Sequence, residues 1–591
     1  MKNLLGLVIL GFILSSSIAL AQPSLIVIFP QTNYQTSAEK IFFLGTAPPD
    51  GQVLINSKPI TRSKAGHFSP SFPLQLGENL FTVRHDNQEL QIKVTRLTTS
   101  PELPQGLGFA KDSLTPAADI ARLPGELICF SALAKLPQGV APPKANVSVK
   151  LANQTIALLP QLQQAQLPSN LAILTGQNQP YAQSGVGNYQ GCTTVAAAAD
   201  LGQPQFQLTL NDKTITQLGS GKIQILSRAE LPVAEIMADA GVARTGPNSD
   251  YSRLTPLPKG TRATVTGREG EWLRLDYGAW INSKETRILP GAIEPQTIIR
   301  SVGYRQLPGA TEIVFPLQVP VPVSVQQSEQ AIALTLYNTT AQTDIIRLDD
   351  DPLISRLDWQ QEAPGQVKYT FNLKKAQQWG YKLRYDGTTL VLALRHPPQI
   401  ANTKRKPLAN FKIVLDPGHG GKETGASGPT GYLEKDVNLV VSKLLRDELV
   451  KRGATVVMTR EDDRELSLVE RQAIISQEEP AIAISIHHNS LPDDGDAEKI
   501  KGFAAFWYQP QAHNLSIFLQ NYVVKKLGRP SYGVFWDNLA LTRPTAAPSV
   551  LLELGFMSNP DEFEQIVNPE VQKKTANAIA QGITEWFKSV R

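Results

Sequence analysis

The chain of 591 residues has only two cysteines, Cys129 and Cys192, and only seven histidines. Both cysteines lie in the N-terminal half, so everything after residue 192 is closed to thiolate chemistry and to cysteine-ligated zinc. Charge is also scarce in the net: 57 basic and 53 acidic residues leave +4, no footing for nucleic-acid binding. No apolar run after residue 21 is long enough to cross a bilayer, which takes about 20 residues. The metal motif H-E-x-x-H is absent. Glycine and proline are plentiful, 42 and 43, and favour turns and short strands over long helices. At this length the chain divides into several domains.

The N-terminus reads as a secretory signal peptide, residues 1–21. Met1-Lys2 gives the positive start, Leu4–Leu14 the apolar core, and Ala19-Leu20-Ala21 the small-residue cleavage site. A membrane anchor is the alternative, but the apolar run is short for a span. The mature protein is expected to be exported, periplasmic or wall-associated, with no transmembrane anchor after cleavage. In an oxidising compartment Cys129 and Cys192 are expected to form a disulfide, two buried thiols being the alternative.

Residues 22–97 alternate short apolar strands such as "SLIVIFP" and "ELQIKVTR" with turn signals and resemble an immunoglobulin-like β-sandwich. Residues 98–230, rich in Pro, Gln and Ala, read as all-β without a definable fold. Residues 231–291, with "GTRATVTGREGEWLRLDYGAWINSKETRIL", resemble the SH3-like barrels of wall-active enzymes. Residues 292–397 repeat a strand-and-turn rhythm and resemble a wall-targeting β module. Residues 398–410 read as a linker; its Lys404-Arg405-Lys406 cluster is either a solvated hinge or a contact for an anionic polymer.

Residues 411–591 change period. Strand-like "KIVLD", "ATVVMTR", "AIAISIHHNS", "KGFAAFWYQ" and "PSVLLELGF" alternate with helical stretches. The first helix carries Val437, Val440, Val441, Leu444, Leu445 and Leu449 at helical spacing, and the second opens on a Ser467-x-x-Glu470 capping box. This predicts an α/β domain with a largely parallel sheet flanked by helices, preceded by several small all-β modules.

Four polar residues fall at element ends of this domain: His419 in the loop "DPGHGG", Glu434 opening the first helix, His487 closing "AIAISI" and Glu553 closing "SVLL". Two histidines and a carboxylate can hold a catalytic zinc with one position left for water, and a second carboxylate is then needed to move the proton. Each residue alone has a plainer reading: a turn histidine, a helix-dipole acid, a core histidine, an ion-pair partner. Of His487 and His488, strand alternation lets only one face a metal, because successive side chains point to opposite faces. Asp416 is either an acceptor for the His419 ring or a turn cap.

The stretches "VLDPGHGGKETGASGPTGYLEKDVNL", "SLVERQAI", "AISIHHNS", "KGFAAFWY" and "PSVLLELGFMSNPDE", in this order, resemble the zinc-dependent N-acetylmuramoyl-L-alanine amidases. The resemblance implies one Zn2+ held by His419, Glu434 and His487, with Glu553 as catalytic carboxylate. It implies peptidoglycan, both glycan strands and stem peptides, as substrate in wall remodelling or cell separation. Leu433 stands where such enzymes often carry Arg, and His488 takes no metal role. Only "LPDDGDAEKI" follows "AISIHHNS", too short for the inhibitory helical insert some of these enzymes carry. The β modules would contact the wall or septal and envelope proteins. Two rivals remain: a non-catalytic wall binder on the same fold, and a zinc peptidase cutting within the stem peptide.

Overall fold

The computed structural model describes residues 24–98, 102–136, 144–161, 165–166, 181–182, 187–398 and 405–590. The signal-peptide segment lies outside the described residues, as do residues 399–404 of the expected linker. Among the described residues no helix is long and apolar enough to cross a membrane.

Four successive β-rich segments precede the α/β domain. Residues 24–98 form a three-stranded, a five-stranded and a two-stranded sheet around Phe43, Phe68 and Val83. A seven-stranded sheet dominates the next segment, where Cys129 on Leu127–Lys135 sits in register with Cys192 on Gly187–Thr194 and the two are joined as a disulfide. Ile120–Arg122 and Ile223–Ile225 leave that sheet and extend the one built on Arg262–Glu269, so the second and third segments share a sheet. Residues 297–395 form a sandwich of five and four strands.

The α/β domain follows as β1 (Lys412–Pro417), α1 (Glu434–Lys451), β2 (Thr455–Met458), α2 (Leu468–Glu478), β3 (Ile482–Asn489), β4 (Phe503–Trp507), α3 (His513–Leu527), β5 (Ser531–Trp536), β6 (Ser549–Phe556), α4 (Pro560–Ile566) and α5 (Pro569–Ser589). Sheet order is β2-β1-β3-β6-β4-β5. The first four strands are parallel; β4 runs antiparallel to β6 and carries β5 with it. Strands β1, β3 and β6 are buried on both faces, which is why their sequences are near-continuous apolar runs.

Local signals set the helix ends. Ser467 Oγ accepts from Glu470 N while Glu470 Oε2 accepts from Ser467 N, the reciprocal pair expected from the sequence. Asn568 caps α5 and Pro569 takes its first position. On α1 the buried stripe is Val437, Asn438, Val441, Ser442, Leu445 and Leu449. Val440 is exposed and Leu444 half-buried, so the stripe is turned towards two polar residues compared with the sequence reading.

The fourth and the first β segments make the contacts on this domain that follow. Trp379, from the fourth segment, is buried in the α/β core, stacked on Phe587 and packed on Trp586. Tyr381 N donates to Thr545 O, and Arg395 donates to the carbonyls of Pro480 and Ala546. The N-terminal sandwich grips the loop after β3. Phe42 N donates to Asp493 O, Tyr34 Oη donates to the Asp493 carboxylate, and Phe42 and Leu44 pack on Ala497.

Candidate metal and catalytic site

Register brings the four residues together. His487 on β3 pairs directly with Glu553 on β6, so the two side chains leave the same face of adjacent parallel strands. Both strands continue to Asn489 and Phe556, as the stretches "AIAISIHHNS" and "PSVLLELGF" predict, so these residues lie inside the strands and do not close them. Glu434 is the first residue of α1. His419 sits in the loop after β1.

His419, Glu434 and His487 each offer a ligand atom, and these atoms all lie within 4.8 Å of one another. His419 Nε2 is 3.2 Å from Glu434 Oε2, and His487 Nδ1 is 2.9 Å from Glu434 Oε1. Glu434 is buried, and its carboxylate also accepts from Ala426 N, Asn438 Nδ2 and His488 N. Burial alone would raise its pKa; the hydrogen bonds from His419 and His487 outweigh it and hold the group well below the usual carboxylate range. Burial likewise works against protonation of His419, but the bond and charge of Glu434 prevail and raise its pKa. Glu553 moves the other way: burial, then the Glu434 charge, push its pKa well above the ordinary value. Its Oε2 is buried and has no hydrogen-bond partner among the described residues.

The loop is built to deliver His419. That residue has φ +60°, the left-handed region that non-glycine residues seldom occupy. Arg471 holds it there by donating from Nη2 to His419 O at 2.7 Å. A Cβ at Gly418 would lie 2.2 Å from the His487 ring, and one at Gly425 would lie 2.4 Å from Glu434 Oε2. These two glycines therefore make room for the ligand side chains themselves.

Asp416 accepts from Thr459 Oγ1, Ser485 Oγ and Arg471 Nη1, not from the His419 ring. Of the two roles open to it, neither describes it: it anchors Arg471 beneath the loop. His488 points to the opposite face, as alternation requires, and bonds Asn438 through Nδ1. Burial pulls its pKa down to about 3, so it is neutral near pH 7. Sequence reasoning missed Asn438, which bridges Glu434, His488 and Gly418 O. A polar residue four after Glu434, inside an apolar stripe, was the available signal. Buried Arg460, which donates to Pro417 O and Gly418 O, was also missed.

Two histidines and a glutamate meeting beside a carboxyl whose Oε2 is buried and unpartnered among the described residues, on a mostly parallel sheet, define an α/β domain with a metal-hydrolase donor set. Within it, residues 413–585 match the family model described as N-acetylmuramoyl-L-alanine amidase. A segment of 191 residues is 37% identical to the probable cell wall amidase LytH of Staphylococcus aureus; it is 32% of this chain, which spans 62% of that relative's length. Among solved structures, an N-acetylmuramoyl-L-alanine amidase from Clostridium difficile 630 is similar at 27% identity over 31% of this chain and 98% of that one, TM-score 0.29. The amidase AmiC2 of Nostoc punctiforme is similar at 30% identity over 30% and 97%, TM-score 0.29.

Proposed function

We propose that residues 411–591 form a zinc-dependent N-acetylmuramoyl-L-alanine amidase, cleaving the amide between the lactyl group of N-acetylmuramic acid and the L-alanine of the stem peptide. The observation that carries this reading is the convergence of His419, Glu434 and His487 on one point with Glu553 in register beside His487. The donor set suits zinc, and the orphaned Glu553 Oε2 suits a partner the protein itself does not supply. When bound, the ion supplies Lewis acidity, polarising a carbonyl and lowering the pKa of a water.

His419, Glu434 and His487 would hold the ion, and Asn438 and the Ala426 N–H orient the Glu434 carboxylate. Glu553 accepts the proton of the attacking water at its carboxylate. As the C–N bond breaks it returns that proton to the departing alanine nitrogen, so the products are a free carboxyl on the sugar side and a free amine on the peptide. Glu553 Oε2 is buried and has no hydrogen-bond partner among the described residues, which leaves that oxygen free for both transfers.

The chain is read as exported through residues 1–21 and as acting in the periplasm or at the wall. The SH3-like segment 231–291, the segment 292–397 and the sandwich 22–97 would tie it to peptidoglycan or to septal and envelope proteins. Glu553→Gln is expected to keep stoichiometric zinc and lose hydrolysis of purified peptidoglycan. Normal turnover by that variant would remove Glu553 from the mechanism. His419→Ala is expected to lose zinc; a full complement of metal in it would count against the ligand set.

A further inference from the structure

A cavity of about 820 Å³ lies between the sandwich of residues 297–395 and the α/β domain, within the range of small-ligand sites. We propose that it binds neutral, N-acetylated glycan, at a place separate from the metal cluster; the choice of glycan rests on peptidoglycan being the substrate.

The cavity lies towards the other end of the sheet from the metal cluster. Its Trp507 closes β4, which runs antiparallel to β6 with Ala504 opposite Glu553. Three residues of strand, about 10 Å, separate Trp507 from the level of Glu553. A glycan strand seated there would therefore not compete for the cluster.

Its walls are fixed. The burial of Trp379 in the α/β core and the Arg395 bonds hold the two domains against each other. Gln378 and Gln511 are buried and tied together through Gln327, whose Nε2 donates to both side-chain oxygens. A preformed site of this kind binds without the cost of ordering its walls.

The lining has the chemistry of sugar recognition. Trp507 is half-buried with its ring 4.3 Å from that of His513, giving an aromatic surface for the apolar face of a pyranose. Around it stand amides with capacity to spare. Gln377 Nε2 donates to Gln378 O and Gln511 O, and Asn514 Oδ1 accepts from Trp586 Nε1. Gln377 Oε1, Gln327 Oε1 and Asn514 Nδ2 are thus left without a protein partner among the described residues, acceptors and a donor together. Hydroxyl and acetamido groups can use both. Charge argues against an ionic ligand: the lining holds one lysine, Lys375, and one acid, Glu329.

The test uses the full chain carrying Glu553→Gln. It is titrated calorimetrically with a soluble oligomer of β-1,4-linked N-acetylglucosamine, with its deacetylated counterpart as control. Saturable binding of the acetylated oligomer alone is expected. Trp507→Ala, removing the aromatic wall, and Ala376→Trp, filling the cavity from an exposed position on the other domain, should each weaken it by about tenfold or more. Ala376→Trp deletes no contact, so it keeps the test sharp should Trp507→Ala unfold. Absence of saturable binding, equal binding of the deacetylated oligomer, or binding indifferent to Ala376→Trp would each overturn the proposal. None of these readouts involves hydrolysis, so the amidase reading stands or falls separately, on the products released from peptidoglycan by the unaltered chain.

Discussion

Replacing Arg471 with Met should loosen the site from beneath. The Arg471 guanidinium is 2% exposed and makes four hydrogen bonds: to Leu466 O, Asp416 Oδ1, Pro417 O and His419 O. Methionine fills most of its volume and makes none of them. Asp416, 1% exposed, would keep only the hydroxyls of Thr459 and Ser485. Removing one partner of a buried pair costs about 3–5 kcal/mol, because the remaining charge is stranded. For a domain near this size that is a fall in melting temperature of roughly 6–20 °C. The chain has several domains and will not unfold in one step, so hydrogen exchange read by mass spectrometry on peptides spanning 412–420 and 482–489 is the suitable assay. Those peptides should lose protection while peptides from residues 24–98 do not. Zinc affinity should fall at least about tenfold, because His419 loses the bond that holds its left-handed backbone. Unchanged exchange in both peptides, with unchanged zinc affinity, would refute the reasoning. The same pair fixes an acid response. Burial raises the Asp416 pKa, but Arg471, Ser485 and Thr459 outweigh burial and leave it below its ordinary value. Its contribution is therefore complete above about pH 4, the ordinary carboxylate value, and is lost as pH falls from there through the folded value; Arg471→Met should flatten that loss.

Gly418→Ala should displace His487, since the new Cβ would lie 2.2 Å from its ring; zinc per chain should fall well below one, and a full complement would show that the loop yields. Cys129→Ser with Cys192→Ser should destabilise the second segment by about 4 kcal/mol, from the 63-residue separation the disulfide closes; chemical denaturation followed by exchange in 127–135 and 187–194 measures it. Phe42→Asp should undock the N-terminal sandwich from the loop carrying Asp493 and Ala497, seen as new proteolytic cleavage between residues 490 and 500; an unchanged digestion pattern would mean that the remaining contacts suffice.

The candidate site was legible because its residues are tied to strong local signals. His487 follows an unbroken apolar strand, Glu553 interrupts another, and alternation lets only one of His487 and His488 face a metal, the resemblance pointing to His487. Glu434 opens a periodic helix. What was not legible depends on contacts between distant elements. Arg471 looked like one more charged residue on an amphipathic helix, and only the fold shows it buried under the His419 loop. Asn438 hid in an apolar stripe that is rotated relative to the simple pattern. Gly418 of "DPGHGG" gives way to the His487 ring, a contact that no local pattern encodes. Strand β5, half-buried, with Gly533 near its middle, has too little apolar periodicity to stand out. The reversal of β4 and β5 follows from connection geometry that no local pattern encodes. In the β-rich half, the three-residue strand Ile120–Arg122 pairs with Ile223–Ile225 on one side and with the end of Arg262–Glu269 on the other, both more than 100 residues further on, pairings beyond the reach of local periodicity.

The central claim is tested most directly by digesting purified peptidoglycan with the full chain and identifying the products by mass spectrometry, with and without a zinc chelator and alongside Glu553→Gln. The account predicts intact stem peptides bearing a free N-terminal L-alanine and glycan whose lactyl groups end in free carboxyls, abolished by chelator and absent with Glu553→Gln. Fragments cut within the stem peptide, or release that survives both the chelator and Glu553→Gln, would contradict it.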